Sequence, residues 1–282
     1  MEPVFIAAAL ASAVLHAGWN AAVKASPRPA GTMTAQMVVG AALVVPALLW
    51  TGLPTKEAWG WIAASTILNT ATVTALLRAY ALAGFGVVYP VVRALSVLLV
   101  VPLAAAVSGE RVSAWGVAGV ALVAGSLVLL GLGNRGERAI PAKALAWTVV
   151  AGLSTAAYVL CDAQGVRHSG SPWAYGFTVS ITNALAMLCQ QRAVARASVQ
   201  AARAGGAGLV RVVPIALAAM TSYLLILWVW SLAAIAPAAA LRDTSAVFAL
   251  LIAIVWLKEP FTPLRLFAIL MSAAAVPLLR LA

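Results

Sequence analysis

Long apolar runs recur along the chain, separated by short polar breaks. Taking about 17 to 25 mostly apolar residues per membrane crossing, the runs fall at about 4–23, 33–51, 59–83, 86–107, 112–132, 142–162, 172–190, 209–234, 237–257 and 263–281. They predict an all-α integral membrane protein of ten transmembrane helices. The runs are too long and too rich in Ala and Leu for strands, and the alternation of a transmembrane barrel is absent. Trp50, Trp59, Trp61, Trp115, Trp147, Trp173 and Trp256 lie near run ends, as interfacial anchors do. The first run follows Glu2 rather than a basic region, so it reads as a retained span and not as a removable leader.

The breaks divide the chain. "AGFG" joins spans 3 and 4 and "AAIAP" joins spans 8 and 9, whereas "GNRGERAIPAK" between spans 5 and 6 has the composition of a linker. The expected organisation is a first five-helix unit over 1–133, a linker over 134–141 and a second five-helix unit over 142–282. Span 4 contains "RALSVLLVVPLAAAVSGE" and span 9 "RDTSAVFALLIAIVWLKE"; an offset of 149 residues lays Arg93 on Arg242, Ser96 on Ser245, Ala104 on Ala253 and Glu110 on Glu259. Because five is odd, a repeated unit must enter the membrane from the opposite side. Inverted repeats of this kind recur in secondary transporters, with the substrate site near the midplane between the halves.

Composition removes the soluble alternatives. The chain is 64% hydrophobic and 9% charged, against roughly a quarter charged in a soluble domain. The formal charge of +11 resides mostly in short loops, where it reads as topology rather than as a nucleic-acid surface. Eleven Lys and Arg residues fall in the loops after spans 1, 5, 7 and 9, and four on the other side, which places both termini outside. Cys161 and Cys189 lie in different spans without metal-ligand spacing and read as packing residues. No cofactor or metal is implied. The absence of GxSxG, HExxH and P-loop patterns argues against an enzyme.

Residues 90–130, "PVVRALSVLLVVPLAAAVSGERVSAWGVAGVALVAGSLVLL", resemble the closing helix pair of the EamA-type repeat in the drug/metabolite transporter superfamily: a proline-led helix, the glutamate turn "GERVS", then a helix with Gly116, Gly119 and Gly125. Span count and tight turns are similar over the whole chain. The second half departs from the pattern, with "KEPFTP" at the turn and Arg265, Ala268 and Ala274 where glycine is predicted. The resemblance implies an exporter of small metabolites in the bacterial inner (plasma) membrane, most similar to the superfamily's aromatic amino-acid exporters.

Polar groups inside spans mark the candidate site, because they are costly to leave unpaired in a bilayer. His16, Trp19 and Asn20 share one face of span 1, and Thr155, Tyr158 and Asp162 one face of span 6. These faces line a central cavity or hydrogen-bond helix to helix. Asn69 in span 3 offers an amide to substrate or neighbour, and Tyr80, Tyr223 and Trp228 offer aromatic surface. Arg93 lies about 10 Å along its helix from Gly86. With Arg242 at the inverted position, and Ser96 and Ser245 nearby, it is a candidate for carboxylate binding or gating; snorkelling is the alternative. Asp162 and Asp243, with His16, are the titratable groups within spans open to proton coupling. Pro102 invites a bend in span 4.

These observations predict a transporter, functional as a monomer, that exports amino acids (aromatic and other neutral ones) by alternating access, with spans 3–4 and 8–9 moving. The alternatives are a proton-coupled exporter of lipophilic cations and, more remotely, an intramembrane lipid-modifying enzyme. The implied partners are a small molecule and the bilayer, with no nucleic acid.

Overall fold

The computed structural model describes residues 1–27, 29–83, 85–109, 112–133, 141–190, 206–245, 247–248, 251–252, 255 and 263–280. The chain is an all-α, multi-pass membrane protein. Among the described residues the helices are α1 (Pro3–Lys24), α2 (Pro29–Thr51), α3 (Trp59–Leu82), α4 (Phe85–Ser108), α5 (Ala114–Gly133), α6 (Ala142–Arg167), α7 (Pro172–Gln190), α8 (Gly206–Leu232), α9 (Ile235–Asp243) and α10 (Pro263–Arg280), with a short 3₁₀ turn at Lys56–Ala58 before α3 and further helical residues at 245, 247–248, 251–252 and 255. Among the described residues, six helices are long and apolar enough to cross a membrane: those containing Pro3–Val23, Ala30–Thr51, Lys56–Ala79, Val91–Ser108, Ala142–Arg167 and Val210–Leu232. Large apolar side chains such as Leu49, Trp50 and Ile67 point outward, exposed, as a lipid-facing surface requires.

Local chemistry sets the helix ends. Four helices, α1, α2, α7 and α10, begin on proline, whose fixed φ suits the first turn and whose missing N–H would find no partner there anyway. Gly52 and Gly109, at φ 74 and 65, follow α2 and α4. Their N–H groups close the last turns onto Leu48 at 2.9 Å and Ala105 at 3.2 Å in the left-handed conformation that glycine adopts without strain.

Two ends differ from the sequence expectation. The apolar pattern ends span 6 at 162, but α6 continues to Arg167. The extra turn is held because Gln164 donates to Ser108 Oγ, and Arg167 donates to the carbonyls of Trp230 at 2.9 Å and Ala233 at 2.8 Å. Asp162 therefore lies inside a helix. The sequence pattern puts span 9 in one run over 237–257; α9 stops at Asp243, and after a turn at Thr244 the described residues 245, 247–248, 251–252 and 255 are helical again. The Thr244 hydroxyl bonds the Leu241 carbonyl at 2.6 Å, its N–H reaches the same carbonyl at 3.3 Å, and Val247 N–H bonds Thr244 O at 2.9 Å. This three-residue spacing is tighter than an α-helix, serine and threonine side chains compete for carbonyls in this way, and four-residue spacing returns at once, with Phe248 N–H on Thr244 O at 3.3 Å. By contrast α4 runs as one helix through Pro102. The turn containing Glu259 and Lys258 lies outside the described residues, as do Glu110 and Arg111.

The helices pack in pairs: α1 on α8, α3 on α6, α2 on α7, and α5 on α10, with α4 against α5, α6 and α9. Small residues allow close approach. A Cβ on Gly119 would meet Leu279 Cγ at 2.8 Å, and one on Gly125 the Met271 methyl at 3.1 Å. Hydroxyls tie two of the pairs. Ser12 and Ser222 each donate to the other's carbonyl at 2.7 Å between α1 and α8, and Thr72 donates to Ser154 Oγ at 2.8 Å between α3 and α6.

One end of the bundle is laced shut. The segment before α3 meets the α6–α7 turn, where the Thr55 hydroxyl bonds the His168 carbonyl, Thr55 N–H bonds Ser169 O at 3.2 Å, and Trp61 stacks on the His168 ring with centroids 6.4 Å apart. The Arg167 and Gln164 bonds lie at this same end.

Candidate functional site: a charged cavity within the bundle

The opposite end opens into a cavity of 660 Å³ lined by residues of α1, α2, α3, α4, α6, α7, α8 and α9. Its α1 residues (His16 to Val23) belong to the C-terminal half of that helix, its α2 residues (Ala30 to Ala41) to the N-terminal half, and its α3 residues (Asn69 to Leu77) to the C-terminal half. The mouth therefore faces the end that carries the α1–α2 and α3–α4 turns. Much of the wall is apolar, with Met33, Met37, Val73, Leu76 and Met220, while the charged side chains fall in three places.

The first is an ion pair. Arg93 Nη1 lies 3.1 Å from Asp243 Oδ1, joining α4 to the end of α9 in the buried interior. Arg93 Nη2 lies 2.7 Å from His16 Nε2. A guanidinium has only donors, so Nε2 accepts, and His16 is neutral with its proton on Nδ1. The His16 ring meets Trp19 edge-on, centroids 5.1 Å apart, and the Asn20 amide donates to the His16 carbonyl at 2.7 Å.

The second is a carboxylate with three hydroxyl donors. Asp162 Oδ1 accepts from Ser65 and, at 3.1 Å, from Tyr175; Oδ2 accepts from Tyr223 at 2.8 Å. Gly165 makes room for this, since a Cβ there would sit 2.5 Å from the Tyr175 hydroxyl.

The third is Arg242. It precedes Asp243 in the chain, whose carboxylate is bonded to Arg93 instead; its guanidinium lies over the Trp230 ring, 5.8 Å from the centroid. Arg242 Nε has no hydrogen-bond partner among the described residues, and neither do Trp19 Nε1, Asn183 Oδ1, Trp230 Nε1 and Ser245 Oγ. Buried polar atoms are rarely left unmet. Here the unmet ones fall on three cavity-lining residues, on the ring beneath Arg242 and on a serine three positions past it.

Of the residues singled out from sequence, His16, Trp19, Asn20, Asn69, Arg93, Thr155, Tyr158, Asp162, Tyr223 and Arg242 line the cavity. Asp243 is paired to Arg93. Ser96 and Ser245 are buried and are not among the lining residues. Trp228 is placed elsewhere: it packs edge-on against Phe5 with centroids 5.5 Å apart, filling the α1–α8 interface instead of facing a ligand. The Tyr80 side chain lies outside the described residues. Sequence reasoning missed Ser65, Tyr175, Gln36, Ser180 and Asn183. Gln36 and Asn183 were visible as amides inside apolar runs, whereas Tyr175, four residues into its helix, had the signature of an interfacial aromatic.

No family model and no curated protein matches the chain. A solved structure described only by the words "Crystal structure of protein" superposes with a TM-score of 0.73 over 99% of this chain and 96% of that one, at 17% identity. At that identity the likeness concerns the fold: an all-α bundle matched along essentially its whole length.

Proposed function

We propose that this protein is a secondary transporter that exports small amphipathic metabolites, amino acids foremost, across the bacterial inner membrane by alternating access. The observation that carries this is the cavity, closed at one end by interhelical bonds, open at the other, and charged within. Its 660 Å³ falls among the roughly 300–1,000 Å³ of small-molecule sites.

The packing supports an inverted repeat of two five-helix units. Exchanging each helix with the one five places away turns the α1–α8 pair into α6–α3 and maps α2–α7, α5–α10 and α4–α9 onto themselves; all of these pairs are in contact. The hydroxyl ties obey the same exchange, Ser12–Ser222 answering Ser154–Thr72. The similarity of residues 90–130 to EamA-type repeats agrees with this. The mouth lies on the side of the basic loops, so the positive-inside rule makes it cytoplasmic, with both termini outside and the cavity waiting to be loaded. Closing that end and opening the other needs α3–α4 and α8–α9 to rock, and the interruption after Asp243 gives α9 a place to bend. The site is complete within one chain, which suits a monomer.

One observation favours a second reading, a proton-coupled exporter of lipophilic cations: a deep carboxylate, Asp162, is surrounded by Tyr175, Tyr223 and Tyr158. Arg242 in the same cavity opposes it.

The test is counterflow of labelled Phe, Trp, Thr and Met in proteoliposomes, with and without a pH gradient. Exchange of amino acids is the expected result. Silence toward all four together with pH-driven movement of lipophilic cations would replace this reading by the second.

A further inference from the structure

The cavity holds two arginines and one carboxylate, yet only one of the arginines is available. Arg93 is neutralised by Asp243 and bonded to His16. Arg242 is buried, lines the cavity and keeps an unmet Nε. Asp162 accepts from three hydroxyls, an arrangement that favours its ionised form. A carboxylate offers about four acceptor positions; Ser65, Tyr175 and Tyr223 occupy three, and the free one is on Oδ2, the oxygen held by the cavity-lining Tyr223.

Depth brings the two charges together. Asp162 lies five residues from the closed end of α6, about 8 Å, and Arg242 seven residues from the closed end of α9, about 10 Å, at 1.5 Å per residue. The inner part of the cavity thus presents an arginine with an unmet Nε and a carboxylate with a vacant acceptor position at matching depth, with apolar Met33, Met37 and Leu76 toward the mouth.

We infer that Arg242 takes the carboxylate and Asp162 the ammonium of an α-amino acid zwitterion, whose two charges are separated by a single carbon, and that the side chain projects along the apolar wall toward the mouth. Arg93 takes no part in binding the substrate. This rests on the transporter reading and deepens it: a single-charge ligand leaves one partner buried and unmatched, which a site built to bond it penalises strongly. A phosphate or dicarboxylate meets Asp162 as a like charge.

The experiment uses the purified full-length chain and two sets of probes. One is L-phenylalanine, 3-phenylpropionate, which lacks the ammonium, and phenethylamine, which lacks the carboxylate. The other is L-methionine, 4-(methylthio)butanoate and 3-(methylthio)propylamine. Binding is measured by calorimetry and movement by counterflow. The wild type is expected to bind at least one amino acid tenfold or more tighter than both of its analogues. In Arg242→Gln the advantage of the amino acid over the amine collapses, and in Asp162→Asn its advantage over the acid. An amine or an acid that binds as tightly as its parent amino acid overturns the zwitterion assignment while transport still stands. Absence of binding and counterflow for all six in folded protein removes the transport reading together with it. If either variant fails to fold, the comparison of ligands on the wild type still decides.

Discussion

Arg93 and Arg242 begin alike in sequence and end differently in the fold. Each opens an apolar run, each carries a serine three positions on, and 149 residues separate them. Arg93 sits within an unbroken α4 and is matched on two sides, by Asp243 and His16. Arg242 sits in the last turn of a helix that stops one residue later and has a ring for a neighbour and an unmet Nε. Part of the difference comes from one residue: the second run has Asp243 where the first has Ala94. That aspartate turns away from its own neighbour, because adjacent residues on a helix face some 100° apart, and matches the arginine of the other half. Two arginines that align at an offset of 149 residues thus end in different settings, one in an ion pair and one with an unmet Nε.

The largest expected effect breaks this asymmetry at Arg93. Removing one member of a buried pair strands the other, at about 3–5 kcal/mol. Arg93→Ala should therefore lower the thermal unfolding midpoint in detergent far more than Arg242→Ala. The double variant R93M/D243M, which removes both charges and keeps bulk, should recover much of the loss. Equal destabilisation by the two single arginine variants would mean that Arg242 is also a structural cation.

How much of this was visible beforehand follows from where the constraints act. The all-α, membrane-spanning character was legible because the bilayer fixes run length, and six described helices are long and apolar enough to cross it; the shared face of His16, Trp19 and Asn20 was legible because helical period is local. The Arg93–Asp243 pair joins positions 150 apart, and nothing along either helix encodes its partner; packing does. The break after Asp243 escaped notice because neither proline nor glycine marks it. Its signal was four consecutive polar residues, Arg242 to Ser245, in an apolar run, where Thr244 competes for a helix carbonyl. Tyr175 was hidden for a different reason: its role depends on Gly165, a turn away from Asp162, leaving room for its ring.

A second, smaller contrast separates α1 from α6. Counting eight residues from the tie serines, Ser12 and Ser154, leads to Asn20 and Asp162. Asn20 bonds back to its own helix at the His16 carbonyl, whereas Asp162 gathers hydroxyls from α3, α7 and α8. Hydrogen bonds to a charged group contribute about 1.5–3 kcal/mol. Tyr175→Phe should cost about that much in stability and Asn20→Ala distinctly less, as measured by unfolding midpoints. A larger loss for Asn20→Ala would reverse the ranking of the two positions.

The smallest effect tests where the halves agree. The Ser12–Ser222 and Thr72–Ser154 ties occupy exchanged places between α1 and α8 and between α6 and α3. Polar contacts between membrane helices average about 0.6 kcal/mol, because the unfolded chain in the bilayer also finds partners. Ser12→Ala and Ser154→Ala should each cost about that much. If alternating access exchanges the conformations of the two halves, their kinetic effects should be opposite in sense. Loosening α1 against α8 would change the balance between inward-facing and outward-facing states in one direction, and loosening α6 against α3 in the other. Accessibility of single cysteines placed at Met33, on the wall near the mouth, reads that balance. Shifts of the same sign in both variants would make the ties simple glue and separate the symmetry of the fold from any symmetry of its motion.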